Sequence, residues 1–498
     1  MTVATDIIRT AEAEICRPWL RHILSHAAWS ALGQAAAAED WTLLAHWADT
    51  AQAHVLFLDP EALTIVAVST PIDFGHYPAL SPLLPGAAWY ERMIHDLWGH
   101  AADGGTDNRP WLDHGTWSHS RPMATRPEPR SGTEPPQPAA FGEDGAMVLP
   151  RGPIWGRIEE AAHLRLTLDG PLIRNADAWL GFTHKGTLTL MRGKSPRAAA
   201  RFAARLSADA TVAHSVAFAQ ATEAAMDVEA PPRAVALRIV MMEIERVAGH
   251  LDNLCEVARL ADAPAVRTRC GLLRETVLQA SEAAFGHRLM MDGVVPGGVA
   301  SDIAVGGPQA VRRALGTVAL QLASIRRQHD GSALSSRLCG LGRSSRDQAG
   351  TFGVAGIVGR ASGHAFDVRS AFAQGYGVLA PRLAVRADGD AAARQHLRIF
   401  EIEESLRLAS AALDTLPGGP VTVALPQVSG EGIGCAESIR GGVWHWLRLD
   451  HGQIAAVFPR DPGWALWPLA ERVLEDAAAD DIDLIRASFA LPASGMDL

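Results

Sequence analysis

The 498-residue chain has only five cysteines, Cys16, Cys255, Cys270, Cys339 and Cys435, spaced so widely that no Cys-x-x-Cys pair occurs. This spacing excludes a disulfide framework and any thiolate centre built from neighbouring cysteines. It fits a reducing compartment in which each thiol is a small buried hydrophobe. An apolar run of about eighteen residues, the length that crosses a bilayer, is also missing. The opening residues, Met1-Thr2-Val3-Ala4-Thr5-Asp6, lack the basic segment and apolar core of a secretory signal, so a cytoplasmic protein is expected. Basic excess is missing too. With a formal net charge of −10 the chain has no concentrated Lys and Arg to meet phosphates, which excludes nucleic acid as a partner. Apolar residues, at 48%, are abundant enough to fill large cores.

Residues 1–123 read as an α+β unit. Ile7, Ile8, Ala11, Ile15, Trp19 and Leu20 suggest an amphipathic helix, and the β-branched runs 53–59 and 63–69, broken at Asp59-Pro60, read as paired strands. Proline-dense residues 124–151 read as an extended linker. Residues 152–498 form a second, mainly α-helical unit with small β-hairpins. Alternation over 164–168 ends at the Asp169-Gly170 turn. Leu237, Val240, Met241, Ile244, Val247 and Leu251 place a wide apolar stripe on a helix over 233–262. Further helical patterns cover 268–285, 308–329 and 391–416, and 434–454 is strand-rich.

Some chemistry-bearing residues have ordinary readings. His95, His100, His114 and His119 lack i, i+4 spacing and a supporting cysteine, so they read as core or surface histidines. The glycine-rich stretch 292–299 lacks the Lys-Ser/Thr of a phosphate loop. Glu243, Glu245, Arg246 and His250 share the 233–262 helix and read as structural ion pairs once buried.

Two strings carry more. Residues 205–215 run Arg205-Leu206-Ser207-Ala208-Asp209-Ala210-Thr211-Val212-Ala213-His214-Ser215, and the chain closes with Leu491-Pro492-Ala493-Ser494-Gly495-Met496-Asp497-Leu498. They resemble nickel-iron hydrogenase large subunits, which read Arg-x-Cys-Gly-x-Cys-Gly-x-Ala-His-Ser and end near a second Cys-x-x-Cys. The four cysteine positions fall on Ser207, Ala210, Pro492 and Gly495. The string 173–188 resembles a family hairpin ending in Gly-Tyr-x-His-Arg-Gly-x-Glu, with His184 retained and Leu188 at the glutamate that relays protons in hydrogenases. Residues 353–369 match Gly-x-x-Gly-Pro-x-x-Arg-Ala-Ser-Gly-x-x-x-Asp-x-Arg through Arg360, Asp367 and Arg369, and 437–445 resembles Glu-x-Pro-Arg-Gly-x-x-x-His through Arg440 and His445. Arg460-Asp461-Pro462-Gly463-Trp464 extends the match toward the C-terminus. In the first unit, Ala87-Ala88-Trp89-Tyr90-Glu91-Arg92-Met93-Ile94-His95-Asp96-Leu97-Trp98-Gly99 resembles the small hydrophilic subunit of respiratory complex I and the matching domain of formate hydrogenlyase-type large subunits.

The resemblance implies a complex I-like α+β domain fused to a hydrogenase large-subunit-like helical domain that has lost its nickel-iron thiolates. It places Arg205, Ser207, His214, Arg360, Asp367 and Arg440 around a buried centre, with His184 and His163 as further pocket-lining candidates. No cofactor is then bound by this chain itself. An iron-sulfur small subunit that carries the cluster, a ferredoxin-like subunit and antiporter-like membrane subunits are the implied partners. The resemblance also implies quinone binding and NAD binding, and the implied location is peripheral on the inner face of the cytoplasmic membrane. The alternatives are a non-catalytic scaffold of a hydrogenase-related complex and an active hydrogenase, against which the missing thiolates count.

Overall fold

Gly430, Gly432 and Gly434 lie on one face of the strand Gly430–Glu437, and a Cβ on each would stand 2.1–2.2 Å from the carbonyl oxygens of Ala225, Ala221 and Ala217. Two strand residues advance about 6.7 Å and four helix residues about 6 Å, so glycines two apart stay in step with alanines four apart. The helix Thr211–Met226 can therefore lie directly on the strand, closer than any side chain would permit. This contact fixes the position of the helix's first turn, where the 205–215 string ends.

The computed structural model describes residues 3–130, 147–155, 160–331, 333–491 and 493–498. The first part is a five-stranded sheet in the order Glu12–Cys16, Trp19–Ile23, Thr64–Pro71, Gln52–Asp59, Thr42–Ala48. Only the contact of Trp19–Ile23 with Thr64–Pro71 is parallel. The expected pair of strands at 53–59 and 63–69 is the antiparallel core of this sheet. One face packs Val55, Phe57 and Val68 against Trp29 and Leu32 of the helix His26–Ala38. The other face joins the C-terminal half, where Trp47 stacks on Phe458 with ring centroids 5.5 Å apart.

The N-terminal helix is shorter than its apolar pattern suggests. It covers Val3–Arg9, and the residues expected to extend it form Glu12–Cys16 and Trp19–Ile23. Pro18 cannot continue a helix, and Ile15 and Leu20 stay exposed at the sheet's edge. The linker is also shorter than 124–151, because Met147–Arg151 pairs with His163–Asp169 as the edge strand of a three-stranded sheet completed by Leu172–Trp179. Pro150 is tolerated there because an edge strand leaves some N–H positions unused. Of the other linker residues, Glu128–Pro129 pairs with His119–Ser120, and 131–146 lie outside the described residues.

The helix Ala88–Trp98 carries the complex I-like string, and its charges are buried clamps rather than a solvated face. Glu91 accepts from the N–H groups of Leu80 and Ser81 at 2.7 and 3.0 Å, Asp96 accepts from those of Trp111 and Leu112 at 2.6 and 2.8 Å, and Arg92 donates to the carbonyls of Arg109 and Pro110 at 2.8 Å.

In the second part the helices Pro232–Leu260, Pro264–Phe285, Gly307–Asp330 and Ala391–Asp414 pack as a bundle around Leu237, Val240, Ile244, Leu251, Val318, Ile402 and Ala409. Beside it, Gly430–Glu437, Gly442–Asp450 and Gln453–Arg460 form an antiparallel sheet. The C-terminal residues fold back into the protein: Asp497 accepts from Gly181 N at 2.8 Å and from Thr183 N at 3.0 Å, and Leu498 is fully buried. Among the described residues no helix is long and apolar enough to cross a membrane.

Candidate functional site

Four pieces of chain converge at the first turn of Thr211–Met226: the preceding loop with Ser207 and Asp209, the turn between Gly430–Glu437 and Gly442–Asp450 with Arg440, Asp461 at the end of Gln453–Arg460, and the C-terminal Ser494-Gly495. Ser207 Oγ lies 3.2 Å from Ser494 Oγ and donates to Asp209 Oδ1 at 2.6 Å. Arg440 donates to Ser207 Oγ at 3.0 Å and to Asp461 Oδ2 at 2.9 Å, and it also pairs with Asp209. His214 Nε2 is 3.2 Å from Asp461 Oδ2, and its Nδ1 is 3.1 Å from His445 Nε2. The N–H of Gly463 donates to Asp461 Oδ1 at 2.7 Å.

Burial would push the Asp461 carboxyl up, but Arg440 and His214 outweigh it and hold the group ionised, well below the carboxylate range. Burial likewise opposes the charge on Arg440, and Asp209 and Asp461 more than restore it. His445 is held neutral by burial and then by His214. Glu245, missed as a site residue because its family string suggests an ion pair, accepts from Val212 N at 2.6 Å and Ala213 N at 3.1 Å, satisfying the first turn of Thr211–Met226. Burial nonetheless pushes its carboxyl up to about 8.

Of the four positions that the resemblance sets against hydrogenase cysteines, three meet here. Ser207 touches Ser494; the N–H of Ala210 donates to Ser207 O at 3.2 Å; and Gly495 is so close to Asp461 that an added Cβ would lie 2.7 Å from its carboxyl carbon. Pro492 lies outside the described residues. A hydroxyl, a methyl and a hydrogen do not fit a nickel-iron pair, which requires soft thiolates.

The expected pocket-lining set divides. Ser207, His214 and Arg440 belong to this cluster. Arg360 and Asp367 form a neighbouring buried network: Arg360 pairs with Asp367 and Glu401 at 3.0 Å, and Arg369 pairs with Asp367 at 2.8 Å, Glu401 at 2.7 Å and Glu243 at 3.3 Å. The hydroxyls of Tyr376 and Ser405 donate to Glu243 at 2.5 and 2.6 Å. Glu437 reaches Arg360 at 3.4 Å, and burial followed by repulsion from Asp367 pushes its carboxyl up to about 7. The turn from Glu437 to Arg440 thus joins the two networks.

Three expectations are corrected. Arg205 does not face the centre; it donates back to Arg201 O at 2.9 Å and pairs with Asp292 at 2.6 Å on the exposed surface. His184 packs against Trp117 and reaches Asp497 O at 2.7 Å, one contact away from the C-terminal residues at the centre. His163 begins the hairpin strand His163–Asp169, half-buried beside Arg165 and Asp177, apart from both networks. Sequence reasoning does not single out Asp209, Asp461 or Ser494. Asp461 lies in a string that matches the family, but nothing in that string indicates that its carboxylate closes the centre.

The four histidines of the first part do not converge. His100 and His114 bind the carbonyls of Asp49 and Leu180 at 3.0 and 2.8 Å, and His119 contacts Ser118.

Two family models match: residues 265–431 match "Respiratory-chain NADH dehydrogenase, 49 Kd subunit", and residues 17–128 match "Respiratory-chain NADH dehydrogenase, 30 Kd subunit". Formate hydrogenlyase subunit 5 of Escherichia coli (strain K12) is 27% identical over 87% of this chain and 79% of its own length. A chloroplastic NAD(P)H-quinone oxidoreductase subunit of Anthoceros angustus is 30% identical over 55% of this chain and 70% of its own. A chain from the structure of the membrane-bound sulfane sulfur reductase, an archaeal respiratory membrane complex, superposes over 73% of this chain and 100% of its own with a TM-score of 0.67 at 24% identity, a likeness of fold. With both segments matched in sequence and order, the chain belongs to the family of the respiratory-chain NADH dehydrogenase 49 kDa subunit and carries a 30 kDa-subunit domain on the same polypeptide.

Proposed function

We propose that this chain is a hydrophilic core subunit of a membrane-associated, complex I-related oxidoreductase that works without a nickel-iron site. It docks an iron-sulfur small subunit whose cluster carries the electrons, together with a ferredoxin-like subunit and antiporter-like membrane subunits that use the redox energy to move ions. The assembly sits on the inner face of the cytoplasmic membrane. One observation carries the reading: Ser207, Ala210 and Gly495 converge without a thiolate, and the Arg440–Asp461 pair lies between Ser207 and Gly495. Leu188, buried at the position where hydrogenases carry the relay glutamate, supports it, because an alkyl chain cannot accept a proton.

A quinone, if the complex uses one, binds outside this cluster, because Ser207 and Ser494 already touch. That direct closure also favours a second reading, a scaffold that keeps the interfaces and has no turnover. Purification from a gentle detergent extract tests both. The first reading expects an iron-sulfur protein and antiporter-like membrane proteins to co-purify, with a cluster that exchanges electrons with a carrier and with nickel far below one per chain. A complex whose cluster is inert to every carrier would favour the scaffold, and stoichiometric nickel would overturn both.

A further inference from the structure

Among the described residues, charged side chains link the antiparallel helices Gly307–Asp330 and Ala391–Asp414 at three places. Arg312 pairs with Asp414 at 2.9 Å and Arg326 with Glu403 at 2.8 Å, both ordinary guanidinium–carboxylate contacts on the surface. The third, where Gly307–Asp330 ends, is of a different kind. Asp330 Oδ1 lies 2.9 Å from His396 Nε2 and 3.1 Å from His329 Nδ1, so two imidazoles share one carboxylate oxygen.

The protons at this contact are constrained. His396 Nδ1 is 2.9 Å from the carbonyl oxygen of Ala392, which can only accept. A neutral imidazole carries one N–H, and placing it on Nδ1 turns the Nε2 lone pair toward the lone pairs of Asp330 Oδ1. Two acceptors at this distance need a cation between them, either a second proton on the ring or a metal ion. An imidazole that donates to a carbonyl through one nitrogen and presents the lone pair of the other is the usual arrangement of a ligating histidine. His329 is buried at the helix end, beside both other donors. The terminal carbonyls of Gly307–Asp330 add negative potential that favours a cation.

We propose that His329, Asp330 and His396 form a zinc site that clamps the end of Gly307–Asp330 to the second turn of Ala391–Asp414. Two imidazoles and a carboxylate suit Zn2+, whereas Ca2+ and Mg2+ take oxygen-rich cages. The donor atoms lie within 4.8 Å of one another. A tetrahedral ion with bonds of about 2.0–2.2 Å holds its donors about 3.3–3.6 Å apart, so the two imidazole nitrogens would close in by up to about 1.5 Å while Asp330 backs off by a few tenths of an ångström, movements that the partly exposed His396 and Asp330 can make. The exposed side of Asp330 leaves a fourth position for water. The site is structural: it restrains two bundle helices and touches neither buried ion-pair network.

The test uses the full chain without a polyhistidine tag, stripped with a chelator and titrated with Zn2+ against a chromophoric competitor. One equivalent is expected. His396→Gln and Asp330→Asn are each expected to weaken binding by about tenfold or more, since losing even an outer partner of a ligand costs about that much. Cys339→Ser, a change at an exposed thiol, is expected to leave binding unchanged. X-ray absorption of the zinc-loaded protein is expected to show nitrogen and oxygen neighbours with imidazole scattering, and Zn2+ is expected to raise the melting temperature of the parent chain but not of His396→Gln. Equal affinity in the parent and the two ligand variants, or sulfur in the zinc shell, would overturn the proposal and leave the contact as a protonated His–Asp pair.

Discussion

Arg440 donates to Asp461 across 2.9 Å with both residues about 1% exposed, joining the turn before Gly442–Asp450 to the end of Gln453–Arg460. At that burial bulk solvent does not reach the pair to replace a missing partner. Removing one member of a buried pair costs about 3–5 kcal/mol, mostly as the penalty of leaving the other charge unmatched. Arg440→Met, which leaves Asp461 to His214 and the Gly463 N–H and weakens the hold on Asp209, is expected to cost about 3 kcal/mol, the low end of that range, in thermal or denaturant unfolding. Arg440→Met with Asp461→Asn is expected to recover part of it, and a double variant no more stable than the single would show that Asp461 does not depend on this arginine.

Gly495 tests how tightly the centre is closed. Its φ is +85°, and an added Cβ would lie 2.7 Å from the Asp461 carboxyl. Gly104 has nearly the same φ, +83°, with nothing within 4 Å. Gly104→Ala therefore measures the backbone cost alone, about 1 kcal/mol. Gly495→Ala adds overpacking and is expected to lose about 1–3 kcal/mol more. Equal losses in melting temperature would mean that the space beside Asp461 is open.

The sequence disclosed much of this fold, for identifiable reasons. The apolar stripe over 233–262 became Pro232–Leu260 because a 3.6-residue period sustained over many turns has few alternatives. The meeting of 205–215 with the C-terminus was legible through family strings, which place backbone segments. Those strings do not encode side-chain direction: Arg205 sits two residues from Ser207 yet turns outward to Asp292. Asp461 was illegible because its role depends on Arg440 and His214, distant in sequence. The N-terminal helix is shorter than its pattern because apolar residues at an exposed strand edge imitate helical spacing over so few turns.

Glu471 should give a pH signature. Burial pushes its carboxyl up to about 8, against the N–H it accepts from Ala178 at 2.6 Å. At pH below about 4.5 the group is protonated whether folded or not, and its contribution is fully present. As pH rises toward 8 the unfolded chain releases the proton that the folded chain retains, so stability falls through this window and levels off above it. Glu471→Gln, which cannot ionise, is expected to gain stability relative to the parent between pH 5 and 8. Parallel profiles for the two proteins would mean that Glu471 is ionised in the fold.

Glu431 links the N-terminal sheet to the C-terminal sheet, and its removal should reveal whether they unfold together. Its carboxylate accepts from Arg21 Nε at 2.7 Å and Trp446 Nε1 at 2.7 Å, and Arg448 approaches at 3.3 Å. Backbone bonds run alongside, from Arg17 N to Glu431 O at 3.0 Å and from Ile433 N to Arg17 O at 2.8 Å. Glu431→Ala leaves Arg21 with Gln52, Ser69 and Glu14, and Arg448 with Asp49, so neither guanidinium is abandoned. The expected loss is therefore about 3 kcal/mol, the low end for a broken buried pair. Arg21→Met in the Glu431→Ala background is expected to cost less than in the parent, with a coupling of about 1–2 kcal/mol across the contact. Additive losses would mean that the sheets are held together by the stacked Trp47 and Phe458 rings and the backbone bonds, with Glu431 serving only its own sheet.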